Sequence, residues 1–454
     1  MNTTTDMSSV SRRHFVAAVI AALSLSVVTG LLAADSPPPG FIALFNGRDL
    51  AGWRGGDTFD HRRWLAMPEA ERSATNGEWT ADMRKHWRVE NGELVNDGNG
   101  KYATTEKDYG DFELLVEYKT VPKADSGIYL RGCPQVQIWD STEKEKFPLG
   151  ADKGSGGLWN NSSGAPGKDP RMLADKAFGE WNSFRILMVG SRVSVWLNEK
   201  HVVDHAVLEN YYDKNDTEHK ANPRPVPAKG PIELQTHGGE IRWRNLFLRE
   251  IGAEEANRIL ESHNAGGFQS VFNEKNFDGW SGPVNEYEVR DGAICCQKGK
   301  GGTIYTKDEF GDFVARLEFK LPPGGNNGLA IRYPGEGDTA YAGMCELQIL
   351  DDDAPQYQGK LDPRQVCGSV YGMVAAHRGY LRPVGQWNFE EVRVKGSTIR
   401  VELNGSVITD ADVADVKEFM AGHPHPGKDR PSGHFGFAGH NDPVCFRTIR
   451  IKRL

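Results

Sequence analysis

Phe45-Asn46-Gly47-Arg48-Asp49-Leu50-Ala51-Gly52-Trp53 returns later in the chain as Phe272-Asn273-Glu274-Lys275-Asn276-Phe277-Asp278-Gly279-Trp280. Working outward, Tyr109-Gly110-Asp111-Phe112 returns as Phe310-Gly311-Asp312-Phe313, and Gly179-Glu180-Trp181-Asn182 as Gly385-Gln386-Trp387-Asn388. Leu197-Asn198 matches Leu403-Asn404, and the stretch from Ile232 to Leu246 aligns without a gap on Phe435 to Ile449. Matches that keep one order at a nearly constant offset mean a tandem repeat, which has to be recognised before any single motif is read. Two domains are expected, 41–251 and 268–454, joined by a linker at 252–267 in which Ala253 to His263 suits a short helix. A segment at 57–86 has no counterpart in the second copy. It is charge-rich, helix-compatible around Pro68 to Arg72, and reads as an insertion beside the first domain.

Each copy reads as all-β. Val193-Ser194-Val195-Trp196-Leu197 and Ile399-Arg400-Val401-Glu402-Leu403 are β-branched or alternating, and turn residues bound them. The 52 glycines and 24 prolines in 454 residues suit many turns and short strands. Strands at this spacing point to a sandwich or jelly roll. A hydrophobic fraction of 38% excludes a disordered chain, and a formal charge of -8 gives no basic footprint for nucleic acid. No basic amphipathic stretch points to a membrane surface, so an uncharged or small partner is expected.

At the start, Ser11-Arg12-Arg13-His14-Phe15 precedes an apolar run from Phe15 to Ala34. This order reads as a signal peptide of twin-arginine type over 1–34, cleaved near Ala33 or Ala34, with a retained anchor as the alternative. The expected location is periplasmic or secreted, without stable membrane association after cleavage. Of six cysteines, only Cys133 lies in the first copy. Export permits Cys345 to pair with Cys367 or Cys445, and unpaired buried thiols are the alternative.

Side chains alternate across a strand, so in Gln135-Val136-Gln137-Ile138-Trp139-Asp140 the residues Gln135, Gln137 and Trp139 share a face. Glu346 and Gln348 do so in the matching Glu346-Leu347-Gln348-Ile349-Leu350-Asp351. Amides and carboxylates beside an aromatic surface suit sugar hydroxyls; a solvent-facing polar face is the bland reading. Upstream, Asp125-Ser126-Gly127-Ile128-Tyr129-Leu130-Arg131 matches Asn326-Asn327-Gly328-Leu329-Ala330-Ile331-Arg332, and Tyr129 and Arg131 are expected on one face. Such an arginine needs an acceptor, either a ligand oxygen or a structural carboxylate. His237 and His440 align in the last glycine-rich turn, where each suits a base, a metal ligand or a hydrogen-bond post.

Together FNGRDLAGW, SGIYLRG, QVQIWD, GEWNSFRI and GPIELQTHGGEIRWRNL resemble the motifs of the 3-keto-disaccharide hydrolase family. The resemblance covers nearly all of the chain after Phe41. It implies a concanavalin A-like, glucanase-type sandwich and cleavage, by hydrolysis or β-elimination, of glycosides whose C3 hydroxyl has been oxidised to a ketone. Sandwich glycosidases that act on unoxidised sugars place Glu-x-Asp-x-x-Glu along one strand, because acid and nucleophile must flank the bond. Neither copy has that spacing. A 3-ketone acidifies the C2 proton, so one base and a polariser for the developing enolate suffice. The candidates are Glu346 or His440 as base with Arg332 as oxyanion partner in the second copy, and His237 with Arg131 in the first. No cofactor motif is present; a divalent metal is the alternative polariser, with His237 or Asp140 as ligand.

The copies are unequal. The first has Gln235 and His237 but Gln135 where the family has Glu; the second has Glu346 but Ala438 in place of the amide. Tyr129, Trp139 and Trp159 favour the first copy for sugar contacts, and Tyr371 stands where Trp159 does. Trp53, Trp181, Trp280 and Trp387 read as core. A non-catalytic carbohydrate-binding pair and a conventional glucanase are the competing readings.

Overall fold

Every copy of the opening motif is a turn built around one asparagine. Asn46 Oδ1 accepts from Arg48 N (2.8 Å) and Asp49 N (3.0 Å), and Asn273 Oδ1 accepts from Lys275 N and Asn276 N (both 2.9 Å). The tryptophan closing each motif is buried and donates from Nε1 to a backbone carbonyl, Leu44 O at 2.8 Å and Val271 O at 3.0 Å. The second shared motif is likewise a lock: Asn198 Oδ1 accepts from Ser183 N while its Nδ2 reaches Asn182 Oδ1, and Asn404 repeats both bonds with Phe389 N and Asn388 Oδ1. These residues recur because both copies need the same turns.

The computed structural model describes residues 36–454. The expected signal peptide, 1–34, lies outside the described residues. Each copy is a β-sandwich of an eight-stranded and a five-stranded antiparallel sheet. The first five-stranded sheet runs, in spatial order, Trp53–Gly56, Tyr102–Thr105, Ile232–Leu234, Asp125–Leu130, Cys133–Trp139; the second runs Trp280–Ser281, Gly301–Phe310, Gly433–His440, Asn326–Tyr333, Cys345–Leu350. Alternation sorts their faces. Ile128, Leu130, Val136, Ile138, Ile232 and Leu234 enter the first core, and Leu329, Ile331, Leu347, Ile349, Phe435 and Phe437 the second. The residues between them lie on the outer face.

The all-β expectation holds, with the helical insertion in the first copy. It forms two helices, His61–Ala66 and Glu69–His86. The first is capped by Asp60, whose Oδ1 accepts from Arg62 N at 2.9 Å. The second drives Met83 into the core and lies so close to the strand Trp53–Gly56 that a Cβ on Gly55 would come within 2.1 Å of Trp79 backbone. The linker carries a helix at Ala253–Ser262, which buries Ala256 and Leu260 with Val189 of the first copy and Phe389 of the second. The copies also meet turn to turn: Ser191 N donates to Gly405 O (3.0 Å), and Arg192 holds Glu402.

The expected cysteine pairing is corrected. Cys295 is bonded to Cys445, its direct neighbour across two antiparallel strands, while Cys345 and Cys367 are buried thiols on other elements.

Candidate functional site

Two outer faces are the places to look, and cross-strand register puts equivalent residues in equivalent rows. In the first copy, Thr104, Glu233 and Tyr129 stand side by side, next to Gln135; the second copy has Tyr305, Gly436, Ala330 and Glu346 there. In the following row Gln137 and Gln348 face Gly127 and Gly328. Both glycines are needed: a Cβ on Gly328 would lie 1.9 Å from Glu346 Oε1, and one on Gly127 would lie 2.9 Å from Gln135 Cδ. The Glu or Gln side chain therefore lies flat across the neighbouring strand.

Each copy pairs its histidine with a carboxylate, but from different strands. His440 Nε2 stands 3.6 Å from Glu346 Oε1. With Gln135 at the Glu346 position, His237 Nδ1 turns instead to Asp125 Oδ2 at 3.2 Å. Asp125 occupies the position of Asn326, one strand over. Donation towards Asp125 raises the pKa of His237 above its ordinary value, and donation towards Glu346 does the same for His440. Asp125 is also claimed by Lys146 (3.0 Å) and by Gln137 Nε2 (2.8 Å).

The first face is filled by its own side chains. Tyr129 is 2% exposed and bonds Thr58 Oγ1 of the insertion at 2.8 Å. Gln135 donates to Gln137 Oε1, Gln235 Nε2 reaches Tyr129 OH at 3.5 Å, and Trp139 Nε1 donates to Gly154 O at 2.9 Å. Trp159 is half-buried, edge-on to Trp139, with Nε1 bonded to Leu149 O. Under the insertion, burial pushes the Glu233 carboxyl up to about 8. The expectation that the first copy offers its aromatics to a sugar is not what this packing provides.

The second face stays open. A cleft of about 290 Å³ brings together Glu346, Gln348, Tyr371 and His440, four of the residues named from sequence. It adds residues that sequence reasoning missed: Asn326, Asp338, Tyr341, Tyr357 and Gln365. Asp338 and Tyr341 come from an excursion at 334–344, where the first copy makes a tight turn through Arg131 and Gly132; lacking a counterpart, they escape a comparison of repeats. Asp338 Oδ1 caps the helix Thr339–Ala342 through Ala340 N (3.0 Å), and Gln348 Nε2 donates to Asn326 Oδ1 (2.8 Å). A larger cavity of about 1120 Å³ lies between the copies; among the bases that line it, Lys214 is held by Glu209, Arg224 by Asp213, Arg192 by Glu402 and Arg400 by Asp410.

Two expectations are overturned. Arg131 and Arg332 are 1% and 3% exposed and serve as structural ties, not oxyanion partners. Arg131 donates to Gly110 O, Pro227 O and Asp111 Oδ1 (2.7 Å); Arg332 donates to Gly311 O, Gly396 O and Asp312 Oδ1 (3.0 Å). A register shift and a left-handed residue explain the misplacement: the ladder slips between Ile128 and Leu130, and Arg131 takes φ 55, so it leaves the face of Tyr129. Replacing Arg131 by Met is therefore expected to cost on the order of 1–3 kcal/mol in a denaturant melt, because the Gly110 and Pro227 carbonyls and Asp111 lose their donor. Asp140 is no free metal ligand either, since Thr142 N and Oγ1 and Lys123 N take its oxygens.

The family model described as "3-keto-alpha-glucoside-1,2-lyase-like domain" matches residues 40–249 and again 267–452. A 3-keto-disaccharide hydrolase of Bacteroides thetaiotaomicron is 25% identical over 248 residues, which span 46% of this chain and 86% of that protein. A solved Parabacteroides distasonis protein, named as a candidate glycosyl hydrolase, is 28% identical at a TM-score of 0.36, covering 41% of this chain and 99% of its own. A carbohydrate-binding module of Bacillus subtilis is 11% identical at a TM-score of 0.27, covering 38% of this chain and 95% of its own. The chain belongs to the 3-keto-alpha-glucoside-1,2-lyase-like domain family and carries that domain twice.

Proposed function

We propose that the second copy, 268–454, cleaves 3-keto-glycosides, with His440 as base and Glu346 as the residue that orients it and raises its basicity. The observation that carries this reading is the His440–Glu346 pair in an open cleft where the other carboxylate, Asp338, is committed to a helix cap. A direct glycosidase needs two free carboxyls flanking the bond, whereas a 3-ketone needs one base. With Nε2 held by Glu346, Nδ1 is the ring nitrogen left to take the C2 proton. The C2–H electron pair becomes the C1=C2 bond as the C1–O pair departs with the aglycone, which picks up one proton. Release at this stage is lyase chemistry; addition of water across C1=C2 gives the 3-keto sugar and completes hydrolysis. Asn326, Gln365 and Tyr371 are the neutral donors beside the developing enolate. The cleft volume suits a glycoside of one or two rings rather than a polymer.

The first copy, 41–251, is read as a scaffold whose own side chains occupy the equivalent face. Export is proposed as well, supported by the arginine pair ahead of an apolar run and by a disulfide, which persists in oxidising compartments.

Incubating the protein with 3-keto-glucosides and their unoxidised parents tests the activity. Aglycone is expected from the keto substrates alone. Release from the parents would replace this reading with direct glycoside hydrolysis, and binding without turnover of either would replace it with a carbohydrate-binding role.

A further inference from the structure

The cavity of about 1120 Å³ between the copies has almost four times the volume of the cleft at Glu346, and the two share no lining residue. Two sheet edges contribute to its walls: the strand Lys200–Val207 ends the first eight-stranded sheet, and the strand Ser406–Asp412 ends the second. The copies are tied beside it at two places, where Ser191 Oγ meets Ser406 Oγ at 3.1 Å and where His377 Nε2 stands 3.1 Å from Asn222 Oδ1. An extended peptide is the ordinary partner of a bare sheet edge. Here edge carbonyls are taken: Val207 O accepts from Asn161 Nδ2 (2.7 Å), His205 O from Arg192 Nη1 (3.2 Å) and Ile408 O from His377 N (2.9 Å). What the cavity offers a guest is side chains.

We infer that this cavity is a second carbohydrate site, made by the duplication itself, that holds a neutral oligosaccharide between the copies. Each copy sets one whole ion pair on the wall, Lys214–Glu209 (2.9 Å) from the first and Arg400–Asp410 (3.1 Å) from the second. In both pairs one carboxylate oxygen is used, and the other, Glu209 Oε1 or Asp410 Oδ1, makes no hydrogen bond among the described residues. A free carboxylate oxygen beside N–H donors is what two adjacent sugar hydroxyls need, one donating and one accepting. Ser163, Asn215 and Asn222 add neutral partners at exposed positions, and Val207 and Val407 give half-buried aliphatic surface to the C–H faces of the rings. The volume lies above the range usual for one small molecule and suits several rings. The same pairing argues against other guests. Four of the five lining lysines and arginines are neutralised by carboxylates, which leaves Lys220 alone, too little for a polyanion. An apolar guest would strip water from both ion pairs and gain no aromatic surface, since no Phe, Tyr or Trp lines the cavity.

Affinity electrophoresis tests this, in native gels that contain hydroxyethylcellulose, dextran, laminarin, pullulan or polygalacturonate, each compared with a gel without glycan. At least one of the neutral glycans is expected to retard the protein. Arg400→Ala, Asp410→Ala and Ser163→Trp, the last a bulky block at an exposed position, should each weaken that binding at least tenfold, whereas Glu346→Gln should leave it intact. The same three variants should keep the native rate on a small 3-keto-glucoside. Retardation that is lost in Glu346→Gln but kept in the three would place the glycan in the cleft and overturn the inference. Stronger retardation by polygalacturonate than by any neutral glycan would overturn it too. So would retardation by none, which would return the sheet edges to a peptide partner. Retardation that follows the expected pattern without any turnover would sustain this site and strike only the proposed activity.

Discussion

Glu346→Gln lowers kcat/KM on a 3-keto-glycoside by an expected 10²–10⁴-fold, about the full contribution of a positioned general base. The exchange is nearly isosteric, and the first copy already folds around glutamine at the matching position, so the loss should come without a change in melting temperature. It also has a signature in pH. His440 works as a base only when neutral, so the acidic limb of the kcat/KM profile follows its pKa. Glu346 holds that pKa above the ordinary value. Removing the carboxylate lets the pKa fall, and the limb in the residual activity should move to lower pH. A limb that stays in place would take His440 out of the base role, and an equal loss from His237→Ala would move the site to the first copy.

Glu390→Leu should stabilise the protein above pH 8 by up to roughly 5 kcal/mol, the value of a full carboxyl shift from 4.5 to the neighbourhood of 8. Glu390 lies in the strand Trp387–Lys395 between Leu317 and Leu403, faces the second core, and has no hydrogen-bond partner among the described residues for either oxygen. The first copy has Phe184 at the equivalent place. Burial alone pushes the Glu390 carboxyl up to about 8. The folded state therefore binds this proton more tightly than the unfolded chain, so its contribution is fully present at low pH. That contribution is lost as pH rises from the unfolded value through about 8, then levels off. Denaturant midpoints across pH 5–9 check this: the native protein should weaken through the range, the Leu variant should weaken less, and parallel curves would show that Glu390 is ionised or hydrated in place. Glu233 contributes a similar slope from the first copy, so the variant flattens only part of it.

Much of this architecture was legible because the recurring residues are those that make turns. Asn46 and Asn273, Asn198 and Asn404, and the two tryptophans that close the first motif each perform a local backbone task that leaves the same mark in both copies. The strand alternation also placed Gln135, Gln137, Glu346 and Gln348 on outer faces. What failed was the alternation beyond the ends of strands. A slipped register and positive φ at Arg131 and Arg332 turned two apparent ligand groups into buried ties, and nothing in the spacing of residues announces such a turn. The plugging of the first face was equally hidden, since the bond between Thr58 and Tyr129 joins residues 71 apart. Cysteine spacing alone did not reveal that Cys295 and Cys445 are cross-strand neighbours.

The joint between the copies has a direction. Its first-copy partner is the turn at Gly190 and Ser191, and its second-copy partner is the turn at Asn404 and Gly405. Those are different positions of one repeat, and the reciprocal hydrogen bond, of Ser397 with Glu199, is not made among the described residues, so the contact is head-to-tail rather than self-complementary. The first copy has Glu199 where Gly405 stands, and a Cβ at Gly405 would lie 2.5 Å from Val189 O, so the second copy alone presents that half of the joint. Duplication on this plan therefore yields an ordered pair in which first and second place are never interchangeable, which gave selection two addresses to treat differently: one face to plug, one to keep open.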